Sequence, residues 1–339
     1  MADVRRVVAA ARAVVANRSA LAPAIIESTG LSAEGVELAM TKHLEVDPSD
    51  DELARLVERA GDTSRAHVIL SANVFVGALR AIAIARAASS DVVVRPSRRD
   101  PAFARALIEA AKEPAIRLDE ALDVADIGEG EIHIYGHDAT IADLRKRARA
   151  CVRVLGHGSG LGVAWISSRA DVAQAARDLA DDVVVFDQRG CLSPRMALVE
   201  GTAASADAFA DALHAELERL GVVVPRGVLP ADERAASDRY IATMTYAHRA
   251  LVGTGHAIGI APPDAPLIAS PAYRHVHVAP CATETAARTL LQPLLASVVS
   301  LGSDDREAAR RLAPRWARLS ALGRMQRPRL DGPVDLRDP

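Results

Sequence analysis

From His67 onward, apolar runs of strand length alternate with segments of helical length. HVILSA is followed by FVGALRAIAIARAASS, then DVVVRPS by PAFARALIEAAK, and EIHIYG (Glu131–Gly136) by DATIADLRKRARA. Strand, helix, strand, helix is the pattern of a parallel sheet covered on both faces, so an α/β fold is expected. CVRVLG (Cys151–Gly156) reads as a further strand, and the glycine-rich HGSGLG before VAWI reads as a domain boundary. A second alternating block follows. It predicts a helix around Asp171–Ala180, a strand at DVVVF, a helix after Pro194, and apolar runs at Val222–Val224 and His275–Val278. Prolines at 262, 263, 266 and 271 mark a loop, and PRLDGPVDLRDP reads as an irregular arm. Residues 1–60, rich in Ala, Leu, Val, Glu and Arg, predict a helical segment.

A chain of 339 residues exceeds one ordinary core, so two domains, or one domain with large additions, are expected. A net charge of −3 and 3% aromatic residues offer nucleic acid neither a cationic surface nor stacking platforms. Arg5, Arg6 and Arg12 interrupt the amino-terminal apolar run, and no stretch approaches the roughly 18 to 20 apolar residues of a membrane span. Cys151, Cys191 and Cys281 are widely spaced without a CxxC pair, which fits a reducing cytoplasm. His133, His137, His157, His256, His275 and His277 form no clear metal-ligand spacing, so no metal is expected; the HVH pair at 275–277 reads as structural.

Three strand ends carry polar residues where a parallel sheet presents its ligands. SANVF holds Asn73, either a helix cap or a donor to a developing oxyanion. RPSRRD holds Arg95, Ser97, Arg98 and Arg99, either a solvated basic loop or a seat for a ribose phosphate. IYGHDAT holds Gly136 and His137, either a plain strand-to-helix turn or a phosphate site at a helix amino end. In DVVVFDQRGCLSPR, Cys191 follows the expected strand and precedes the expected helix, whose positive end, with Arg189 and Arg195, would favour the thiolate. An inert, packed thiol is the alternative.

VVVFDQRGCLSP resembles the active-cysteine segment of the bacterial acyl-CoA reductases, the long-chain fatty-acid reductase (LuxC-like) family of luminescence systems, within the aldehyde dehydrogenase superfamily. SANVF, VVVRPSRRDP and YGHDATI resemble the superfamily's oxyanion, ribose and pyrophosphate segments in the same order, and the ending GRMQRPRLDG resembles that reductase family. The resemblance implies an aldehyde dehydrogenase-like fold: a helical segment 1–60, a nicotinamide-nucleotide domain 61–157 that 300–339 would complete, and a catalytic cysteine domain 158–300. It implies NADPH-dependent reduction of a fatty acyl-CoA to the aldehyde, with Cys191 as nucleophile and Asn73 on the oxyanion. Arg95, Ser97, Arg98, Gly136 and His137 would meet the cofactor, with NADPH expected and NADH as the other candidate. A homo-oligomer and a partner acyl ligase belong to the same expectation. The alternatives are an acyl-transfer module without hydride transfer, and an aldehyde dehydrogenase running oxidatively. The latter needs a glutamate base, and the corresponding stretch VLGHGSG has no carboxylate. Arg95 stands where the superfamily often has lysine.

Overall fold

The computed structural model describes residues 1–72 and 74–337. They form two compact units, one of residues up to Ser159 together with those from Arg329 onward, the other Gly160–Pro328.

The first unit opens with four helices, α1 (Ala2–Ala16), α2 (Arg18–Thr29), α3 (Ala33–Leu38) and α4 (Asp50–Ala60). The alternating block follows as β1 (Ala66–Ile69), α5 (Gly77–Ala88), β2 (Val92–Arg95), α6 (Ala102–Ala111) and β3 (Ile116–Leu118), then β4 (Glu131–Tyr135), α7 (Asp138–Arg147) and β5 (Arg153–His157). The five strands pair in the order β3-β2-β1-β4-β5, all parallel. A parallel ladder forces each strand to be followed by a crossover, and here helices supply three of them. α1 buries Val4, Val7, Val8, Ala11 and Val14 at helical spacing against α5 and α6. The arm after Pro328 carries no helix or strand among its described residues. It is tied down by Arg80, 3% exposed, which donates to the carbonyls of Gly332 (2.6 Å) and Arg329 (2.9 Å) and pairs with Glu45 at 2.6 Å.

The second unit comprises β6 (Leu161–Ile166), α8 (Val172–Val184), β7 (Pro194–Glu200), α9 (Ala203–Val223), α10 (Ala231–Ala247), β8 (Arg249–Val252) and β9 (Ala257–Ile260). It ends with β10 (His275–Cys281), α11 (Glu284–Leu291), β11 (Val298–Ser303), α12 (Arg306–Leu312) and β12 (Arg318–Ala321). The strand order is β12-β11-β6-β7-β10-β9-β8, parallel except for the edge strand β8. Trp165, Val163, Met196, Leu198 and Leu301 pack in its core. Residues 300–328 therefore stay with this second sheet, because β11 and β12 extend it; only the chain from Arg329 onward returns to the first unit.

Two expectations fail here, because burial within the fold outweighs the local pattern. DVVVF is not a strand. Asp182–Val184 complete α8, whose buried Ala175, Ala176, Leu179, Ala180 and Val183 keep the helical period. No helix follows Pro194. Pro194 instead opens β7, a position a strand tolerates, and Met196–Val199 are buried between β6 and β10. The apolar run at Val222–Val224 falls at the end of α9, with Val222 and Val223 exposed.

Asp182, fully buried, accepts from the backbone N–H groups of Gly323 (2.7 Å), Met325 (2.9 Å) and Gln326 (3.4 Å). Its place inside α8 thus organises GRMQ. Burial pushes its carboxyl up to about 8 even though those donors favour the ionised form. Asp182→Ala strands three backbone donors, two of them buried, so a loss of about 2 to 4 kcal/mol in urea unfolding is expected; an unchanged midpoint would contradict this arrangement. His67, His275 and His277 are buried, and burial lowers all three, the last two to about 4. Below about pH 6.5 the unfolded chain takes up protons that these folded imidazoles refuse, so they lose stability as the pH falls. Asp182 acts with the opposite sign, but as one group against three. The urea midpoint is therefore expected to drop between about pH 7 and pH 5. A midpoint that held or rose would count against burial of the neutral rings.

Candidate active site

In the first unit the strand order places β1 and β4 side by side, with the chain leaving them in opposite directions along the sheet. Such a switch point opens a crevice at the carboxyl edge, where parallel sheets receive ligands. Residues 70–72, 74–76 and 136–137 flank it, and the turn after β2 lies on the same edge. Gly136 donates to the His157 carbonyl at 3.2 Å, and a Cβ added there would meet nothing within 4 Å, so a ligand can approach the backbone. His137 is the cap residue of α7, although its side chain makes no cap hydrogen bond. Asp138 in the first turn directs its carboxylate to the Ser159 N–H at 2.8 Å.

The expected cofactor arginines divide. Arg95 is half-buried, donates to the Leu122 carbonyl at 2.8 Å, and is lowered first by burial and then by Arg98. Arg98 and Arg99 are exposed, and the Ser97 hydroxyl accepts from the Arg99 N–H at 3.2 Å. A depression of about 440 Å³ beside this turn is lined by Arg99, Arg105 and Ser28 among others. Asn73 lies outside the described residues. At the end of β5, where a carboxylate base was sought, stands His157, stacked on Tyr135 with ring centroids 4.3 Å apart. Burial and the neighbouring His133 lower His157 to about 3, so it is a poor proton acceptor near neutral pH. The adjoining glycines are used for packing: a Cβ on Gly156 would sit 2.6 Å from Ile141, and one on Gly158 would sit 2.1 Å from Asp138.

In the second unit Cys191 sits between α8 and β7, at the centre of a turn closed by Ser193 N–H donating to the Gly190 carbonyl at 3.1 Å. The three residues Phe186, Asp187 and Gln188 before it have positive φ of 55°, 48° and 61°. At about 1 to 2 kcal/mol per non-glycine residue, that costs several kcal/mol. The opposing interactions are strong. Asp187, 1% exposed, pairs with the buried Arg274 at 2.8 Å and accepts from Gly227 N–H at 2.9 Å, while its own carbonyl accepts from Tyr273 N–H at 2.9 Å. Gln188 donates to the carbonyls of Pro194 (2.6 Å) and His275 (2.7 Å) and accepts from His275 N–H at 2.9 Å. Gly162 completes the seat, because a Cβ there would lie 2.3 Å from the Leu192 carbonyl oxygen.

The helix-end argument for Cys191 does not survive, since a strand follows it. Of the two arginines invoked with it, Arg189 is turned toward the Phe186 carbonyl (3.1 Å) and the Tyr273 ring (5.8 Å). Arg195 is lowered to about 10, mainly by burial, and stays charged near neutral pH. What distinguishes Cys191 is its seat. Cys281 is buried with its thiol pushed up to about 12, and Cys151 is exposed with its thiol donating to the Gly128 carbonyl at 3.4 Å. Cys191 is half-buried on a strained, clamped loop, the kind of place where strain accompanies function. The clamp was invisible in the sequence: nothing in VFDQ announces left-handed backbone, and Arg274 lies 87 residues from Asp187. The HVH histidines are engaged within the unit, His275 with Ser237 at 2.7 Å and the Ala272 carbonyl at 2.7 Å, His277 with Tyr240 at 3.4 Å.

Residues 45–337 match the family model described as acyl-CoA reductase (LuxC). No curated protein matches the sequence. Among solved structures, the chain is similar to an NAD-dependent benzaldehyde dehydrogenase from Corynebacterium glutamicum, with TM-score 0.71, 15% identity, and coverage of 95% of this chain and 80% of that one. It is similar to an oxidoreductase from Marinobacter aquaeolei (TM-score 0.75, 12% identity, 94% and 77% covered). A third similar structure is the Mycobacterium tuberculosis aldehyde dehydrogenase complexed with NAD+ (TM-score 0.69, 15% identity, 95% and 77% covered). At these identities the likeness concerns the fold, which is aldehyde dehydrogenase-like as expected.

Removing one partner of the buried clamp leaves an uncompensated charge, so Arg274→Met should cost about 3 to 5 kcal/mol in urea unfolding. The double variant with Asp187→Leu should recover part of that loss. If the two single costs simply added, the pair would not be coupled.

Proposed function

The chain belongs to the acyl-CoA reductase (LuxC) family, and on that premise we propose that it reduces a fatty acyl-CoA to the aldehyde with NADPH, through an acyl thioester on Cys191. The observation that carries this reading is the seat of Cys191: of the three cysteines, only this one is half-buried and held on a strained loop by buried polar partners.

In the proposed first stage the Cys191 sulfur attacks the thioester carbonyl carbon, the carbon–sulfur bond to CoA breaks, and CoA leaves as the thiol with the proton from Cys191. The Cys191 backbone N–H and, by the resemblance, the Asn73 amide would donate to the oxyanion. Bound NADPH would supply hydride to the acyl carbon. The resulting thiohemiacetal collapses, releasing the aldehyde, and a proton from solvent restores the Cys191 thiol.

The first unit's residues fit a nicotinamide nucleotide. The switch-point crevice, the open space above Gly136 and the exposed Arg98 would accommodate a dinucleotide carrying a 2′-phosphate. Ser97 and His137 flank these positions, and Arg95 adds charge while spending one nitrogen on Leu122. Reduction is favoured over hydrolysis because β5 ends in His157, whose lowered basicity suits it poorly to activating water.

The test is oxidation of NADPH and of NADH across a series of acyl-CoA chain lengths. Cys191→Ser should lose at least about a thousandfold in kcat, Asn73→Ala about a hundred- to a thousandfold. Arg98→Ala should raise the KM for NADPH about tenfold with little change for NADH. No cofactor consumption with any chain length, or full activity in Cys191→Ser, would overturn the proposal.

A further inference from the structure

Helix α9 places His214 and Glu218 four residues apart, so both side chains leave the same face. The turn between β8 and β9 brings in a third donor, His256, which is buried. Its Nε2 lies 2.9 Å from His214 Nδ1, and its Nδ1 lies 3.9 Å from Glu218 Oε1. One nitrogen or oxygen from each of the three residues falls within 4.8 Å of the others.

The surroundings are built to hold these groups. Glu218 Oε1 accepts from the Thr254 N–H at 2.9 Å, and Oε2 accepts from its hydroxyl at 3.4 Å, so the carboxylate is oriented from outside. A Cβ on Gly253 would lie 2.1 Å from Glu218 Oε1 and 2.2 Å from His256 Cε1. The turn thus has no room for a side chain where the carboxylate and the imidazole approach each other.

We propose that His214, Glu218 and His256 form a binding site for a divalent transition-metal ion of the zinc class. Two imidazole nitrogens and one carboxylate oxygen are a set that zinc accepts, leaving a fourth position for water. Calcium and magnesium prefer oxygen ligands throughout, so the two nitrogens select against them. In the arrangement seen, the facing nitrogens of His214 and His256 share a single proton. A metal ion takes its place, and the proton moves to the other nitrogen of the ring that carried it, so both imidazoles stay neutral ligands. At Zn–N distances near 2.05 Å a tetrahedral ion spreads its two nitrogens to about 3.3 Å, an opening of a few tenths of an ångström that side-chain rotation supplies. The bound ion ties α9 to the β8–β9 turn, at the edge of the sheet that carries its only antiparallel strand. None of the three residues has a part in the proposed reduction, so the two proposals stand or fall separately.

Zinc titrated into the metal-free full-length protein, followed by calorimetry and thermal melting, tests this. One equivalent should bind and raise the melting temperature, in the wild type and equally in Cys191→Ser. His214→Asn and Glu218→Gln, on a half-buried helix face, should keep the fold by circular dichroism yet weaken binding at least tenfold each. Cobalt in place of zinc should give the spectrum of nitrogen and oxygen ligation, without a thiolate charge-transfer band. The absence of saturable binding at one equivalent, binding indifferent to both substitutions, or a thiolate band would each overturn the site.

Discussion

A buried carboxylate facing a buried guanidinium holds the segment that carries Cys191. Asp187 and Arg274 meet at 2.8 Å with both side chains almost wholly out of solvent, and each is further satisfied by backbone groups. Without that pair, three successive non-glycine residues would have little reason to adopt left-handed backbone. Tyr273 and Arg274, on the facing segment, are left-handed as well, so the strain lies on both sides of the same contact. The chain crosses from α8 to β7 through this knot, and the turn around Cys191 is its exit.

Much of the architecture was legible because parallel sheets leave a clear mark in sequence. HVIL, DVVVR and EIHIY became β1, β2 and β4 since each is buried and each is followed by a helix-length segment with Ala and Leu at helical spacing. DVVVF broke the rule. Three valines in a row suggest a strand, but Leu179, Ala180 and Val183 lie on the same buried face of α8, and Asp182 finds three backbone donors only as part of that helix. Local propensity lost to a long-range partner that no window of sequence contains. β3 was missed for a different reason: Ile116–Leu118 is three residues long, with two of them exposed.

The chemistry was legible to a different depth. Cys191 was singled out partly by an argument from helix dipoles that the structure removes, and partly by family resemblance, which the family match over residues 45–337 supports. Its physical rationale now rests on loop geometry instead. Gly156 and Gly158 of LGHGSG, a stretch that reads in sequence only as a domain boundary, are explained by close packing against Ile141 and Asp138 in α7. That packing and the weakly basic His157 leave the end of β5 ill suited to generating hydroxide. Helix period makes the His214–Glu218 spacing readable, whereas His256, 38 residues beyond Glu218, joins them only through the fold.

The central claim is that Cys191 accepts an acyl group from CoA and passes it to hydride rather than to water. Mass spectrometry of the protein mixed with a fatty acyl-CoA, first without and then with NADPH, tests it most directly. The account predicts an acyl adduct on the peptide containing Cys191 that persists in buffer and is discharged as aldehyde when NADPH is added. An adduct that water removes as the free acid at the same rate with or without NADPH, or no adduct at Cys191 in a protein that still makes aldehyde, would contradict it.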